Sequence, residues 1–395
     1  MPGKIKAALR WSRTGADRSL SRVVNQKAII DTICQSDGIS RAQLAHELGI
    51  SKPAVASNVE NLISLDLIEE KGEGEAAKSG GRKPVMLYLN KHCNYVGALD
   101  LSFLEPVCAV ANLKNEIVGI KRITVSRKSS EEQRRQGVRD AFASILDENH
   151  IPAEKIGVIV ISSPGLIKDE SGMYYTESRH HAWTEIGIDR FLATEFGTKV
   201  SIKNDVNLAA IGELNFGVDE APDNMLYVSC GVGLGLGIII NRELYDGERS
   251  GAGEIASLQM ESGQRLEDFI AMEGLIKRVN AGLKEKGGVE EADFSQIVRL
   301  AEENDPTVEE IVYETGRHLG RNIYNCCTVL DIDTVIFGGD YLALGQPLFN
   351  GMKDSLKQTD VIKPRLIISQ LNQIAGIYGC FVLGKEKIIN GLVSK

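Results

Sequence analysis

No apolar run in this 395-residue chain reaches the ~18–20 residues that a membrane helix needs. The first 24 residues lack an apolar core and a small-residue cleavage site, so they do not read as a secretory signal. Cysteine is sparse, with seven residues scattered from Cys34 to Cys380 and mostly in apolar segments. Their odd number and spacing argue for small buried hydrophobes in a reducing compartment rather than for disulfides. The adjacent Cys326 and Cys327 point different ways on a helix and make no metal pair without outside ligands. A membrane span and a disulfide framework are therefore excluded, and a cytoplasmic location is expected.

Charge is short on one sign overall but not everywhere. The chain carries 45 Lys/Arg against 54 Asp/Glu, a net charge of −9. Met1–Ile30 reverses this, with seven basic residues against Asp17 alone. A basic head on an acidic body suits a protein whose head meets a polyanion. Three regions follow: a basic arm over 1–24, a small domain over 25–90 and a large body over 91–395.

Residues 25–90 read as a DNA-binding module. Asn25 caps a first helix with Ile29, Ile30 and Ile33 on one face. Ser40 caps a second, Arg41–Leu48, with Leu44, Ala45 and Leu48 inward, and Gly49 makes the turn after it. Ser51 caps a third, with Pro53 in its first turn, where a missing N–H costs little. Val55, Val59, Leu62 and Ile63 form its buried stripe, leaving Lys52, Ala54, Ser57, Asn58 and Asn61 outward. This is a helix-turn-helix. Strands at Leu67–Glu70 and Val85–Leu89 bracket a glycine-rich, charged segment ending in Gly80-Gly81-Arg82-Lys83-Pro84, a wing suited to DNA backbone and minor groove. The expected DNA-facing set is Ser40, Arg41, Gln43, Ser51, Lys52 and Pro53, then Ala54, Ser57, Asn58 and Asn61. Arg82 and Lys83 join it from the wing.

Beyond Tyr95 the pattern is α/β. Strands are expected at Tyr95–Leu101, Val107–Leu113, Ile117–Val125, Ile156–Ser162 and Lys199–Lys203, with a polar helix at Glu131–Glu148. Met225–Ser229 and Gly235–Ile240 bracket a glycine loop. Helices near Arg265–Lys284, Phe294–Glu302 and Thr307–Val329 precede a strand at Thr334–Phe337, a helix at Gly345–Leu356, a strand at Leu366–Gln370 and a last helix at Ile374–Ile389. Two β-rich segments, each followed by helices, predict two lobes with a ligand cleft at converging strand ends. Gly231–Gly237 is not a dinucleotide fingerprint, because it opens a strand rather than a helix.

Several motifs carry a family resemblance. They are Ser40-Arg41-Ala42-Gln43-Leu44-Ala45, Gly81-Arg82-Lys83-Pro84, Ser163-Pro164-Gly165-Leu166, Asn204-Asp205-Val206-Asn207, Gly231–Gly237, Gly251-Ala252-Gly253-Glu254-Ile255 and Gly338-Gly339-Asp340. From about Arg22 to Leu392 the chain resembles the repressors of the ROK family (repressor, open reading frame, kinase), of the xylose and N-acetylglucosamine type. The resemblance implies a winged helix-turn-helix followed by a two-lobed actin-like sugar-kinase fold.

It also implies a lost enzyme. In the family's kinases an Asp at the position of Asp205 is the catalytic base, and nucleotide phosphates are held by glycine loops. The first loop should read Asp-x-Gly-Gly-Thr, but here it reads Asp100-Leu101-Ser102-Phe103-Leu104. The second has Val232 where a Thr hydroxyl is usual. No kinase activity and no ATP requirement are expected, and Asp205 is a vestigial base. Most family members hold a structural zinc in a Cys-rich loop after Gly-Glu-Ile-Gly-His. This chain reads Gly253-Glu254-Ile255-Ala256-Ser257, and Leu258–Leu266 has no Cys, so no zinc is expected.

The resemblance assigns sugar contacts to Ser163, Gly165, Asn204, Asp205, Glu254 and Glu267, with amides and carboxylates forking onto adjacent hydroxyls. Where an Asn usually precedes Trp183, the stretch Ser178-Arg179-His180-His181-Ala182 places Arg179 or His180, which suggests a sugar or sugar-phosphate effector. The function expected is an effector-controlled repressor of carbohydrate genes, bound to a palindromic operator as a homodimer or tetramer. The alternatives are a sugar kinase with a DNA-binding head and a regulator without effector.

Overall fold

The computed structural model describes residues 18–73, 83–102, 105–125, 129–168, 173–175, 183, 186–287, 291–356 and 362–394. The head contains α1 (Arg18–Cys34), β1 (Ile39–Ser40), α2 (Arg41–Leu48), α3 (Lys52–Ser64), β2 (Ile68–Glu73) and β3 (Val85–Leu89). Its three strands pair in the order β1-β3-β2. Ser40 caps α2 through a reciprocal capping box with Gln43, and Gly49 ends that helix in the left-handed region at φ 64°.

One expected boundary fails. Asn25 does not cap α1, because the helix begins at Arg18 and takes in residues assigned to the basic arm. No Gly or Pro interrupts Arg18–Asn25, so the polar Asn25 is carried inside the helix rather than starting it. Arg82 and the wing tip lie outside the described residues.

The body holds two sheets of the same design. The first is built from β4 (Tyr95–Asp100), β5 (Val107–Asn112), β6 (Ile117–Arg122), β7 (Ile156–Ser163) and β10 (Lys199–Asn204), in the order β10-β7-β4-β5-β6. Helix α4 (Glu131–Glu148) packs on its β5–β6 side, the short ribbon β8 (Leu166–Lys168)–β9 (Met173–Tyr175) follows β7, and α5 (Ile188–Glu195) leads into β10. Next come α6 (Asp205–Gly212) and a π-turn over Glu213–Gly217.

The second sheet uses β11 (Met225–Cys230), β12 (Leu234–Ile240), β13 (Glu243–Leu244), β14 (Thr334–Gly338) and β15 (Arg365–Ile368), in the order β13-β12-β11-β14-β15. Each sheet is an antiparallel three-strand meander extended by two parallel strands. Helices α7 (Leu266–Ile270), α8 (Met272–Glu285), α9 (Phe294–Glu302), α10 (Pro306–Leu330) and α11 (Gln346–Leu356) belong to this half, and α12 (Ala375–Val393) ends the chain.

The single helix expected over 265–284 is broken at Ala271. The Met272 N–H donates at 2.8 Å to the Gly231 carbonyl, so this turn is anchored on the glycine loop rather than on its own helix ladder. Apolar packing is continuous between head and body. Ile29, Ile30, Ile33, Leu44, Val55 and Leu62 share one buried cluster with Val96, Val158, Phe381, Ile388 and Val393. All seven cysteines are free thiols, five buried and Cys34 and Cys326 half-buried. Among the described residues no helix is long and apolar enough to cross a membrane.

Candidate functional site

The parallel strands of both sheets end at one cleft. Asp100 pairs with Ser162 across β4–β7, and Asn204 pairs with Ser163 across β7–β10. From the other sheet come Cys230-Gly231 and, beyond β14, Gly339-Asp340. The cleft encloses about 720 Å³ and is lined by Gly165, Asn204, Asp205, Glu254 and Glu267, as the sequence assigned. Ser163 departs from that assignment. It is buried, with its Oγ donating to the Pro164 carbonyl at 3.4 Å, and Ser162 lines the cleft in its place, because side chains alternate along a strand. His180 lies outside the described residues.

Local structure fixes the cleft-facing groups. Gly165 has φ +96°, and its carbonyl accepts from Asn204 Nδ2 at 3.1 Å. Asn204 Oδ1 caps α6 by accepting from the Asn207 N–H at 3.0 Å. Asp205 is therefore the first residue of α6, on the cleft floor. Gly253, at φ +88°, lies so close to the Leu236 carbonyl that a side chain would overlap it, and this places Glu254 on the opposite wall. Lys203 Nζ reaches Asp246 Oδ2 at 2.8 Å, an ion pair between the two halves that sequence reasoning missed.

The cleft is strongly acidic. Burial, then the Asp100 carboxyl, raises Asp205 to about 7. Asp100 is itself raised by burial, and Glu254 is raised by burial and then by Glu267. Arg265, also at the cleft, is engaged by Asp268 at 2.7 Å and approached by Glu267 at 3.9 Å.

Two backbone donors that would cradle phosphates are occupied by the protein's own carboxylates. The Ser102 N–H and hydroxyl donate to Asp100 Oδ1 at 2.9 and 2.6 Å. The Val232 N–H donates to Asp340, whose carboxyl is raised by desolvation and packs directly on Gly231. The sequence motif contained Asp340 but gave no sign of this role, since the contact joins residues more than a hundred positions apart. Both N–H groups are thus satisfied within the protein. At the position of the family's zinc loop Ser257 is exposed, and Met260–Gln264 closes as a tight turn held by two backbone bonds.

The DNA-facing assignments divide. Lys52, Pro53 and Ser57 are exposed on α3, Ala54 is half-buried, and Lys83 is exposed beside β3. Ser40 and Gln43 spend their side chains on the α2 cap, Ser51 caps α3, and Arg41 pairs with Glu70. Two residues expected to point outward do not. Asn58 is 8% exposed, with its Nδ2 donating to the Ala54 carbonyl at 2.8 Å. Asn61 Oδ1 accepts from the buried Gln26 Nε2 at 2.7 Å, which ties α3 to α1. Both lie on the margin of the apolar stripe, where helix rotation turns them inward.

A two-lobed body of sugar-kinase type with a winged helix on its N-terminal side defines the class. A ROK family model matches residues 96–387, and a winged helix-turn-helix DNA-binding model matches residues 24–69. The chain belongs to the ROK family. It is 27% identical to the xylose repressor of Bacillus subtilis (strain 168), over 86% of this chain and 88% of that one. It is 22% identical to the DNA-binding transcriptional dual regulator NagC of Escherichia coli (strain K12), over 95% of each. A crystal structure described as a ROK family transcriptional regulator, homolog of E. coli Mlc, superposes with TM-score 0.78 at 20% identity, covering 94% of this chain and 98% of that one. A ROK family glucokinase from Streptomyces griseus, solved with glucose and AMPPNP, gives 0.59 at 19% identity, covering 73% and 99%.

Proposed function

We propose that this protein is a transcriptional repressor of carbohydrate-metabolism genes, controlled by an unphosphorylated sugar in a cleft that no longer performs phosphoryl transfer. The observation that carries this reading is the pair of internal carboxylates, Asp100 and Asp340, held by the Ser102 and Val232 backbone N–H groups. An incoming phosphate would lose those donors and meet like charge in the cleft. The same argument narrows the effector. A sugar phosphate would bring two negative charges beside Asp205, Glu254, Glu267 and Asp340, whereas uncharged hydroxyls can donate to all four.

The protein works without zinc or ATP. A homodimer presents two heads to a palindromic operator, with the exposed Lys52–Ser57 face of α3 in the major groove. The sugar contacts are Asn204, Asp205, Glu254 and Glu267 on opposite walls of the cleft. The relatives named as a xylose repressor and as a DNA-binding transcriptional dual regulator support the DNA-directed half of this reading.

A melting-temperature screen of the full chain tests it. At least one unphosphorylated pentose, hexose or N-acetylhexosamine should raise the melting temperature, while the matching phosphates and Mg-ATP should not. A ligand at 100 times its Kd adds about 2.7 kcal/mol, which such a screen detects. A second reading, a sugar kinase with a DNA-binding head, is favoured by one observation: Asp205 is raised to about 7, where a general base works well. ATP consumption that depends on a sugar and is abolished by Asp205→Asn would establish it.

A further inference from the structure

The cleft and the head are joined by one helix. The first turn of α12 lies at the cleft floor: a Cβ built on Gly376 would stand 3.1 Å from Asp100 Oδ2, and the preceding Asn372 and Gln373 line the cavity. Midway along the helix Lys385 Nζ approaches Cys34 Sγ of α1 at 3.3 Å, and in its last turns Ile388, Ile389 and Val393 are buried in the cluster that contains Ile29, Ile30 and Ile33. At about 1.5 Å per residue, the nineteen residues of α12 span close to 28 Å, enough to bridge site and head without an intermediary.

A second helix meets α12 where the two halves of the body meet. Helix α6 starts at Asp205 and lies on the second sheet, with Val206 against Gly235 and Ala210 against Gly237. Helix α12 lies on the first sheet, with Gly384 against Val96 and Ile388 against Gly157. Where they cross, backbone rests on backbone. A Cβ on Gly212 would overlap the Ala375 carbonyl, and one on Gly379 would overlap the Leu208 carbonyl. Around this contact Leu208 of α6 shares a buried cluster with Ile377, Cys380 and Phe381 of α12, so the two helices are coupled at the crossing and a small shear of one is felt by the other.

We propose that the Gly212–Gly379 crossing is the pivot through which occupancy of the cleft is passed along α12 to the α1 helix of the head. Gly212 and Gly379 are positioning residues, and Lys385 is the contact that delivers the shift to Cys34. This rests on the reading of the cleft as the effector site and of the head as the DNA-binding part. Ligand that draws α6 toward the opposite wall moves its Asp205 end against Asp100 and Gly376. The head follows because its core is continuous with the last turns of α12. A ligand produces this shift only if it prefers the closed arrangement.

Cys34 reports the junction directly. In the full chain, its alkylation rate by iodoacetamide is read by peptide mass spectrometry, with the half-buried Cys326 as internal reference. The perturbation is Asp205→Asn, which removes one member of the Asp100–Asp205 repulsion and needs no knowledge of the sugar. The Cys34 rate relative to Cys326 should change by about fivefold, and Gly379→Ala should cancel that response. Amide hydrogen exchange over 375–393 and 18–34 should move with it, while 294–302 stays constant. The exchange measurement also serves if Gly379→Ala does not fold. A Cys34 rate and an α1 exchange profile both unchanged by Asp205→Asn overturn the proposal. If no sugar raises the melting temperature but the Asp205→Asn response is present, the effector reading fails and the mechanical link stands.

Discussion

Asp205 shares the cleft floor with Asp100, and burial followed by that neighbouring charge raises its carboxyl to about 7. The folded-state value therefore exceeds the unfolded one of 3.8. Asp205 contributes stability in full below about pH 4, and that contribution is lost as pH rises through 7.

Asp205→Asn should accordingly be more stable than the parent at pH 8, with a difference that shrinks toward pH 5. One side of Asp205 faces the open cleft, so the expected gap at pH 8 is on the order of 1 kcal/mol. Urea unfolding of both proteins at the two pH values checks the sign. A gap that widens toward pH 5 would mean that the Asp205 carboxyl is not raised.

The head should depend on one capping box. Ser40→Ala removes the acceptor for the Gln43 N–H and the hydroxyl that meets Gln43 Oε1 at 2.7 Å. Ser40 is nearly fully buried, so a loss of about 1 kcal/mol is expected. The loss should appear as faster amide exchange in α2, with the cleft's sugar affinity unchanged.

Side chains of α3 should divide by where they point. Lys52→Ala and Ser57→Ala lie on the exposed face and should weaken duplex binding by about tenfold or less each, with Lys52→Ala also lowering the salt dependence. Asn58→Ala should behave differently. It removes a bond to the Ala54 carbonyl inside the head, so its effect should fall on melting temperature rather than on base preference. Selection from randomised duplexes compares the variants; a changed consensus for Asn58→Ala alone would reverse the assignment.

Chelation should leave the protein untouched. Ser257 stands at the end of the Gly253–Ser257 motif and no cysteine occurs in Leu258–Leu266. EDTA should shift the melting temperature by less than about 1 °C, against the large loss expected when a structural metal is stripped. Metal analysis of the purified chain gives an independent reading.

Local signals in the sequence were read well, and tertiary ones were not. Caps at Ser40 and Ser51, the left-handed Gly49 and the span of α4 all depend on neighbours within four residues, and they stand where the sequence placed them. The start of α1 was misread because a helix former run without breakers hides its own beginning, and Asn25 mimicked a cap. Asn58 and Asn61 sit at the edge of the apolar stripe, where Asn61 meets Gln26 of another helix and Asn58 bonds the Ala54 carbonyl of its own. Asn204, Asp205, Glu254 and Glu267, singled out through motifs that the chain shares with a family, line the cleft. The hold of Val232 on Asp340, the Lys203–Asp246 ion pair and the glycine crossing of α6 and α12 join distant segments and leave no periodic trace.

The account rests on a body that senses sugar and a head that answers on DNA. Its most direct test is the affinity of the full chain for an operator duplex, by fluorescence anisotropy, with and without the unphosphorylated sugar that raises its melting temperature. The account predicts a loss of about tenfold or more on adding that sugar, within the usual range of coupling between two sites. An affinity unchanged within about twofold, for a sugar that demonstrably fills the cleft, would contradict it.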